Sequence, residues 1–270
     1  MTRAASTLPV DFPEPLFRPV DGHVEIRVAE AVEARLPRPR RVTAIIAAIC
    51  ERLAGQPADE EQVRRVSAAG REWLLQQAGF EFFRGSTWFE APCTACGARF
   101  DLELPLTAAP RGRAGNGFPE VEVCTSLGPR WFEAPNGHHE EAMAARRDGD
   151  PRRAFATLCS LADEPAADAD RFIEEDLERI DAALEAISPD IADGVDVTCP
   201  DCGKPGRVRI DPLTFAFPHS ETILQDVHVI AGAYRWAEAD ILALPSSRRR
   251  AYVALIRGDA ARPANRATLQ

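Results

Sequence analysis

Lysine is almost missing from this chain. Lys204 stands alone, and every other basic side chain apart from histidine is arginine. That bias points to a GC-rich genome rather than to a function. Long apolar runs are missing too. No stretch approaches the roughly 20 apolar residues that a helix needs to cross a bilayer. The opening Met1-Thr2-Arg3-Ala4-Ala5-Ser6 leads into no apolar signal core. Also absent are a G-x-S-x-G elbow, a phosphate-binding loop and an H-E-x-x-H pair, each of which would have argued for an enzyme. Positive charge is short overall: the net charge is -10. Such a balance disfavours nonspecific binding to nucleic acid or to an anionic membrane as the main task.

What is present suffices for a sizeable core. The chain has 270 residues, 45% hydrophobic and 27% charged. Both shares are ordinary for a globular protein, and the length allows one elaborated domain or two. Unpaired cysteines and C-x-x-C pairs fit a reducing cytoplasm.

The chain is organised around Cys93-Thr94-Ala95-Cys96-Gly97 and Cys199-Pro200-Asp201-Cys202-Gly203. Two thiolates two residues apart, followed by a glycine that lets the backbone turn under an ion, make a metal-binding knuckle. One knuckle supplies half of a tetrahedral shell, so Cys93, Cys96, Cys199 and Cys202 are expected to hold one structural zinc. The flanks match. Phe89 and Ala91 alternate before the first knuckle, as Val195 and Val197 do before the second. Leu102 and Leu104 follow the first at the offsets of Val208 and Ile210 after the second. Each knuckle is therefore expected at the tip of a β-hairpin, the pattern of a zinc ribbon split across the chain.

Between Cys96 and Cys199 lie 102 residues, against about 15–20 in a compact zinc motif. Lengthening the loop that far costs only roughly 1.5 kcal/mol of closure entropy. A structural zinc site contributes on the order of 10–16 kcal/mol, so the metal wins if the insertion folds by itself. The competing readings are a redox dithiol and plain free thiols. A thioredoxin-like pair opens a helix after a buried strand, whereas the residues after Gly97 alternate like a strand.

The expected architecture is α+β, with split zinc-ribbon-like hairpins sharing one four-cysteine site among helices. Residues 1–20, rich in proline, read as an extended or disordered arm. Residues 21–106 hold N-terminal helices and the first knuckle hairpin. Within them, His23–Val28 reads as a short strand. A helix from Arg41 carries Val42, Ile45, Ile46, Ile49 and Leu53 on one stripe, with Cys50 beside it, and Gly55 and Pro57 stop it. Further helices cover about 59–69 and 71–83.

Residues 107–190 read as an insertion: a flexible connector at 107–117, then a hairpin with Val121 and Val123 inside and a turn at Gly128-Pro129, then helices. Cys124 is expected within that hairpin and Cys159 on a helix with Phe155 and Leu158. Asp163–Asp170 reads as an acidic loop before a long helix with Ile173, Leu177, Ile180, Leu184 and Ile187 on one face. The carboxylates on its other face read as a solvated surface, since acid–base catalysis needs a pocket as well as spacing. His138-His139 reads as a solvated helix start, because neighbouring histidines on a helix point about 100° apart.

Residues 191–257 hold the second knuckle hairpin and a C-terminal helical array, followed by a polar tail at 258–270. The array runs as a helix through Ile223, Val227, Ile230 and Tyr234, closed by Trp236. A short helix over Glu238–Leu244 stopped by Pro245 comes next. A third helix, capped by Ser246 or Ser247, carries Tyr252, Leu255 and Ile256. His228 reads as a hydrogen-bonded boundary residue.

The run D-V-H-x-I-A-x-x-Y-x-W-x-E-x-D-I-L-x-L-P-x-x-R-R-R-x-Y, from Asp226 to Tyr252, resembles the C-terminal signature of the T4-type phage baseplate protein family. Longer members are similar in carrying A-P-C-x-x-C-G and C-P-x-C-G, matched by Ala91–Gly97 and Cys199–Gly203. The resemblance spans roughly residues 20–257. It implies a non-enzymatic, chaperone-like assembly factor or component for the baseplate hub of a contractile phage tail or related injection system. Its partners would be baseplate or hub proteins, with no small-molecule substrate and no membrane. Its place would be the bacterial cytoplasm or the tail particle. Arg248, Arg249 and Arg250 are expected to be exposed toward an acidic partner, with Tyr234 and Trp236 as further candidate contacts, although Trp236 and the neighbouring leucines read physically as internal core. The runner-up is a zinc-ribbon adaptor binding nucleic acid or a transcription complex, which the acidic total disfavours. An enzyme comes third, because four thiolates leave no open metal position.

Overall fold

The computed structural model describes residues 15–82, 86–105, 117–147, 149–188 and 194–258. The expectations for residues 1–14, for most of the 107–117 connector and for the tail from 259 lie outside these residues. The described chain combines helices with small antiparallel sheets, as the α+β expectation requires. No described helix is long and apolar enough to cross a membrane.

The N-terminal body begins with β1 (Leu16–Phe17), α1 (Gly22–Glu33), α2 (Arg38–Ile49), β2 (Cys50–Leu53), β3 (Gln56–Pro57), α3 (Glu60–Arg65) and α4 (Ala68–Phe82). Two expectations fail here. The stretch His23–Val28 is helical: Asp21 caps α1 by accepting from the Val24 N–H at 2.9 Å. Val24, Val28 and Val32 then fall on one buried stripe at i, i+4 and i+8. The helix from residue 38 also stops early, at Ile49, so Leu53 reaches the core from a strand instead. In that strand Cys50 pairs with Phe17, which brings part of the expected arm into a sheet. Burial pushes the Cys50 thiol up to about 12, which keeps it an inert core group.

Charged groups stitch the body together. Arg38 donates to Glu72 on α4, and its Nε donates to Asp211 at 3.0 Å. Burial pushes the Asp211 carboxyl up, but the Arg38 hydrogen bond outweighs it and holds the group below the usual range. Arg71, fully buried, donates to the Thr43 hydroxyl (2.9 Å) and the Pro39 carbonyl (2.7 Å) and pairs with Glu140 (2.9 Å).

The first knuckle hairpin is β4 (Ser86–Pro92) with β5 (Arg99–Pro105). The second is β8 (Gly194–Thr198) with β9 (Pro205–Arg209). Between them the insertion forms β6 (Glu120–Thr125), β7 (Gly128–Glu133), α5 (Gly137–Ala145), α6 (Pro151–Cys159), α7 (Pro165–Arg171) and α8 (Glu174–Ile187). The tight turn of its hairpin is Ser126-Leu127, since Thr125 already pairs with Gly128. Gly128 opens β7 at φ +93°, a left-handed conformation that suits glycine. The acidic stretch expected as a loop is largely α7. Val123, Phe132, Phe172, Leu177, Ile180 and Leu184 build a separate core, while Ile173 stays exposed at the start of α8.

The C-terminal array is α9 (Ser220–Tyr234), α10 (Glu238–Leu242) and α11 (Ser246–Arg257). Arg235, in a left-handed conformation, closes α9, rather than Trp236. Pro245 precedes α11, with no side-chain cap from serine. Ala29 of α1 joins Ile223, Val227, Ile230, Ile241, Leu242 and Val253 in a third apolar cluster. Gly22 sits so close to the Leu242 backbone that a β-carbon there would lie 2.8 Å from it.

Candidate metal centre

Both knuckles have the same backbone design. In the first, the Cys93 N–H donates to the Ala98 carbonyl at 2.8 Å, and the Gly97 N–H returns to the Cys93 carbonyl at 2.8 Å. In the second, Cys199 and Lys204 make the first bond at 3.0 Å, and Gly203 and Cys199 the second at 2.9 Å. Gly97 and Gly203 turn at φ +77° and +69°, where a β-carbon would be strained. The hairpins hold these turns in register, with Pro92 opposite Arg99 and Thr198 opposite Pro205. Ile210 is buried just after β9, and Phe89 packs edge-on against Phe215 with ring centroids 5.0 Å apart. The knuckles are thus seated on the helical body.

The four sulfurs converge. All lie within 4.8 Å of one another. Cys93 and Cys202 are 3.7 Å apart, Cys96 and Cys199 3.8 Å. Both close pairs cross from one knuckle to the other, so neither knuckle is complete alone. A disulfide needs about 2.05 Å. The edge of a tetrahedron with metal–sulfur bonds of about 2.3 Å is about 3.8 Å. The residues present therefore fit a four-coordinate metal ion. Cys93 and Cys199 are buried and Cys96 and Cys202 exposed.

The electrostatics fit as well. Backbone N–H groups of Cys96 and Ala95 directed at its sulfur bring the Cys93 thiol down to about 6. The Ala98 N–H likewise favours the Cys96 thiolate, but the sulfurs of Cys93 and Cys202 outweigh it and push that thiol up to about 12. Cys202 also moves up, because desolvation and the sulfurs of Cys199 and Cys93 together outweigh the Lys204 N–H. Four sulfurs at these distances ionise together only around a cation.

The other sequence-predicted residues are distributed differently. Arg248 and Arg250 are exposed, as expected, and Arg250 donates to the Ser246 hydroxyl at 2.9 Å. Arg249 contradicts its expectation, being 1% exposed. It points inward, pairs with the buried Glu25 of α1 and donates to the Leu244 carbonyl. It latches α11 to α1 and is closed to any partner. Trp236 is not core: it is 39% exposed, and Tyr234 is similar. The two rings stack at 5.3 Å, with Tyr252 edge-on to Trp236 at 5.2 Å.

One constellation escaped the sequence reading. His139 is buried rather than solvated. Its Nδ1 accepts from the Asn136 N–H at 3.3 Å and lies 3.6 Å from Cys159 Sγ, while Nε2 lies 3.2 Å from Glu133. Cys, His and Glu in this order suggest nucleophilic catalysis. Yet the Cys159 side chain is sealed from solvent, and burial holds its thiol up at about 12, so the geometry serves as a helix cap and core contact. Among the described residues, the four cysteines are the one group of three or more His, Cys, Asp or Glu side chains able to share a metal ion.

Comparisons with family models, with curated proteins and with solved structures find no match.

Proposed function

We propose that this chain is a non-enzymatic assembly factor, or a component, for the baseplate hub of a contractile phage tail or phage-tail-like injection system, held in shape by one structural zinc ion. The observation that carries the zinc reading is the convergence of four sulfurs at cross-knuckle separations of 3.7 and 3.8 Å. Zinc with four thiolate ligands is a closed structural site, with no coordination position left for a substrate. The two hairpins then act as halves of one zinc ribbon separated by the insertion.

The assembly reading rests on the resemblance of Asp226–Tyr252 to the baseplate signature. The exposed rings of Tyr234 and Trp236, packed on Tyr252 of α11 with exposed Arg248 one turn before it, support it as a contact surface, since aromatic and arginine side chains dominate binding energy at interfaces. Elemental analysis of protein purified without chelator tests the zinc half, with one zinc per chain and seven titratable thiols in denaturant as the expected result. Co-expression with the hub and baseplate proteins of the same tail tests the other half. A stable complex that Trp236→Ala abolishes is expected, and no complex with any of them refutes it.

An adaptor for nucleic acid or a transcription complex is the second reading. In its favour, α11 exposes three arginines, Arg248, Arg250 and Arg257, and arginine neutralises nucleic-acid phosphates. A DNA mobility shift that weakens steeply with salt would select it.

A further inference from the structure

Most of the net charge of the protein lies in the insertion, where residues 107–190 hold eighteen carboxylates against nine arginines, a balance of -9. Its arginines are largely spent internally. Arg130 binds Asp168, Arg152 binds Glu174 and Asp181, Arg153 binds Asp150, and Arg179 binds Asp176. Glu122, Asp163 and Glu164 are exposed and carry no ion pair among the described residues.

Within this acidic region one sheet face is left uncovered. Val123 and Phe132 point into the core, so Glu122 and Trp131, paired in register, face outward. A third row extends the face. Phe132 bridges Ser160, and the Leu161 N–H donates to the Trp131 carbonyl at 2.9 Å. That antiparallel pairing sets Leu161 opposite Trp131. The row across the face is therefore Glu122, Trp131, Leu161, with Asp163 and Glu164 following directly. Trp131 is 45% exposed and Leu161 44%. An apolar centre with a charged margin has the anatomy of a protein-binding patch, and tryptophan is the residue type most often dominant in one.

We propose that this outer face docks a basic polypeptide that presents an apolar side chain to Trp131 and Leu161 and arginine or lysine to the surrounding carboxylates. The charge decides the occupant. Nucleic acid and anionic membranes are repelled by a region at -9, and the like region of a second copy is repelled equally. The proposal is separate from the tail-assembly reading, since it needs no baseplate protein and does not involve the C-terminal array.

Calorimetry with the full-length protein and two synthetic peptides tests it. One is a leucine–arginine amphipathic peptide, and the other is the same sequence with glutamate at every arginine. The arginine peptide is expected to bind, more weakly in high salt, and the glutamate peptide not at all. Trp131→Ala is expected to weaken binding at least tenfold, and Glu122→Gln with Asp163→Asn to weaken it and flatten its salt dependence. Metal content and melting temperature report whether each variant is folded. If Trp131→Ala fails to fold, the charge variant alone decides. Absence of binding, equal binding of both peptides, or loss of binding in Arg248→Ala/Arg250→Ala instead overturns the proposal. So does sedimentation showing self-association that the Trp131 or charge variant abolishes, which would assign the face to a second copy.

Discussion

Among the described residues three long hairpins occur, and they differ in what surrounds them. The β6–β7 hairpin lies on an apolar bed: Val123 and Phe132 sink into a cluster with Phe172, Leu177, Ile180 and Leu184. The two knuckle hairpins bury much less. Ala91, Cys93 and Cys199 are sealed, but Trp88 on β4 is 66% exposed, and β9 alternates between exposed and half-buried side chains. An isolated two-stranded hairpin is marginal in water. The insertion solves that problem with area removed from water, whereas the knuckles bring four sulfurs within 4.8 Å of one another, where a metal ion would supply the missing bonds. Where core is scarce, a metal cross-link is the usual substitute.

That contrast can be broken most forcefully at the thiolates. Cys93→Ser or Cys199→Ser is expected to abolish metal binding and with it the order of both hairpins, a loss on the order of the 10–16 kcal/mol of a structural site. Metal analysis and hydrogen exchange check it, and a full metal complement in either variant would sink the shared centre. Chelation of the native protein should give the same pattern, exposing the amides of residues 86–105 and 194–209 while those of α8 stay protected.

Phe132→Ala attacks the other region. It should cost about 3–5 kcal/mol and lower the melting temperature while leaving metal content untouched. A joint loss would mean that the two regions do not stand independently.

Arg249→Ala, which strands Glu25 in the core, should cost about 3–5 kcal/mol and loosen α11 from α1 with the metal still bound.

Acid sharpens the comparison more gently. Asp176 is sealed in the insertion, and burial raises its carboxyl. Two donors on Ser126, the N–H at 2.8 Å and the hydroxyl, outweigh this and hold it below its ordinary value. Its folded pKa is lower than its unfolded one, so its contribution is complete above about pH 4 and is lost as pH falls through the folded value. Asp211 behaves alike through Arg38. Asp176→Asn should therefore flatten the acid limb of a pH–stability curve by about 1–3 kcal/mol, and an unchanged limb would refute that role. Smallest of all, Gly203→Ala forces a β-carbon into the left-handed region at a cost of about 1–2 kcal/mol. Denaturant melts of the metal-bound protein would show it.

The convergence of the four cysteines was legible because its information is local. Two C-x-x-C-G runs and their alternating flanks lie within a few residues, and backbone turns at Gly97 and Gly203 follow from that spacing alone. What failed depended on distant partners. Val24, Ile26 and Val28 alternate like a strand, yet Val32 and the Asp21 cap complete a helical stripe, and the apolar surface of α2 decides the outcome. Arg249 belongs to an arginine run that looks solvated, and only Glu25, 224 positions away, draws it inside. His139 likewise looked solvated until Asn136, Glu133 and Cys159 closed around it. The end of α2 was misjudged because Leu53 fits the helical stripe equally well from a strand.

The cross-knuckle pairing of sulfurs also orders events in time. A ribosome adding about 5–20 residues per second delivers Cys96 and then, 103 residues later, Cys199. For about 5–20 s the first knuckle can offer only two of the four thiols. In that interval the whole insertion emerges, with all the residues of its own apolar cluster. Under the shared-site reading the ring can be tied only afterwards, so the last bond to form would be the one that joins the two hairpins across the insertion.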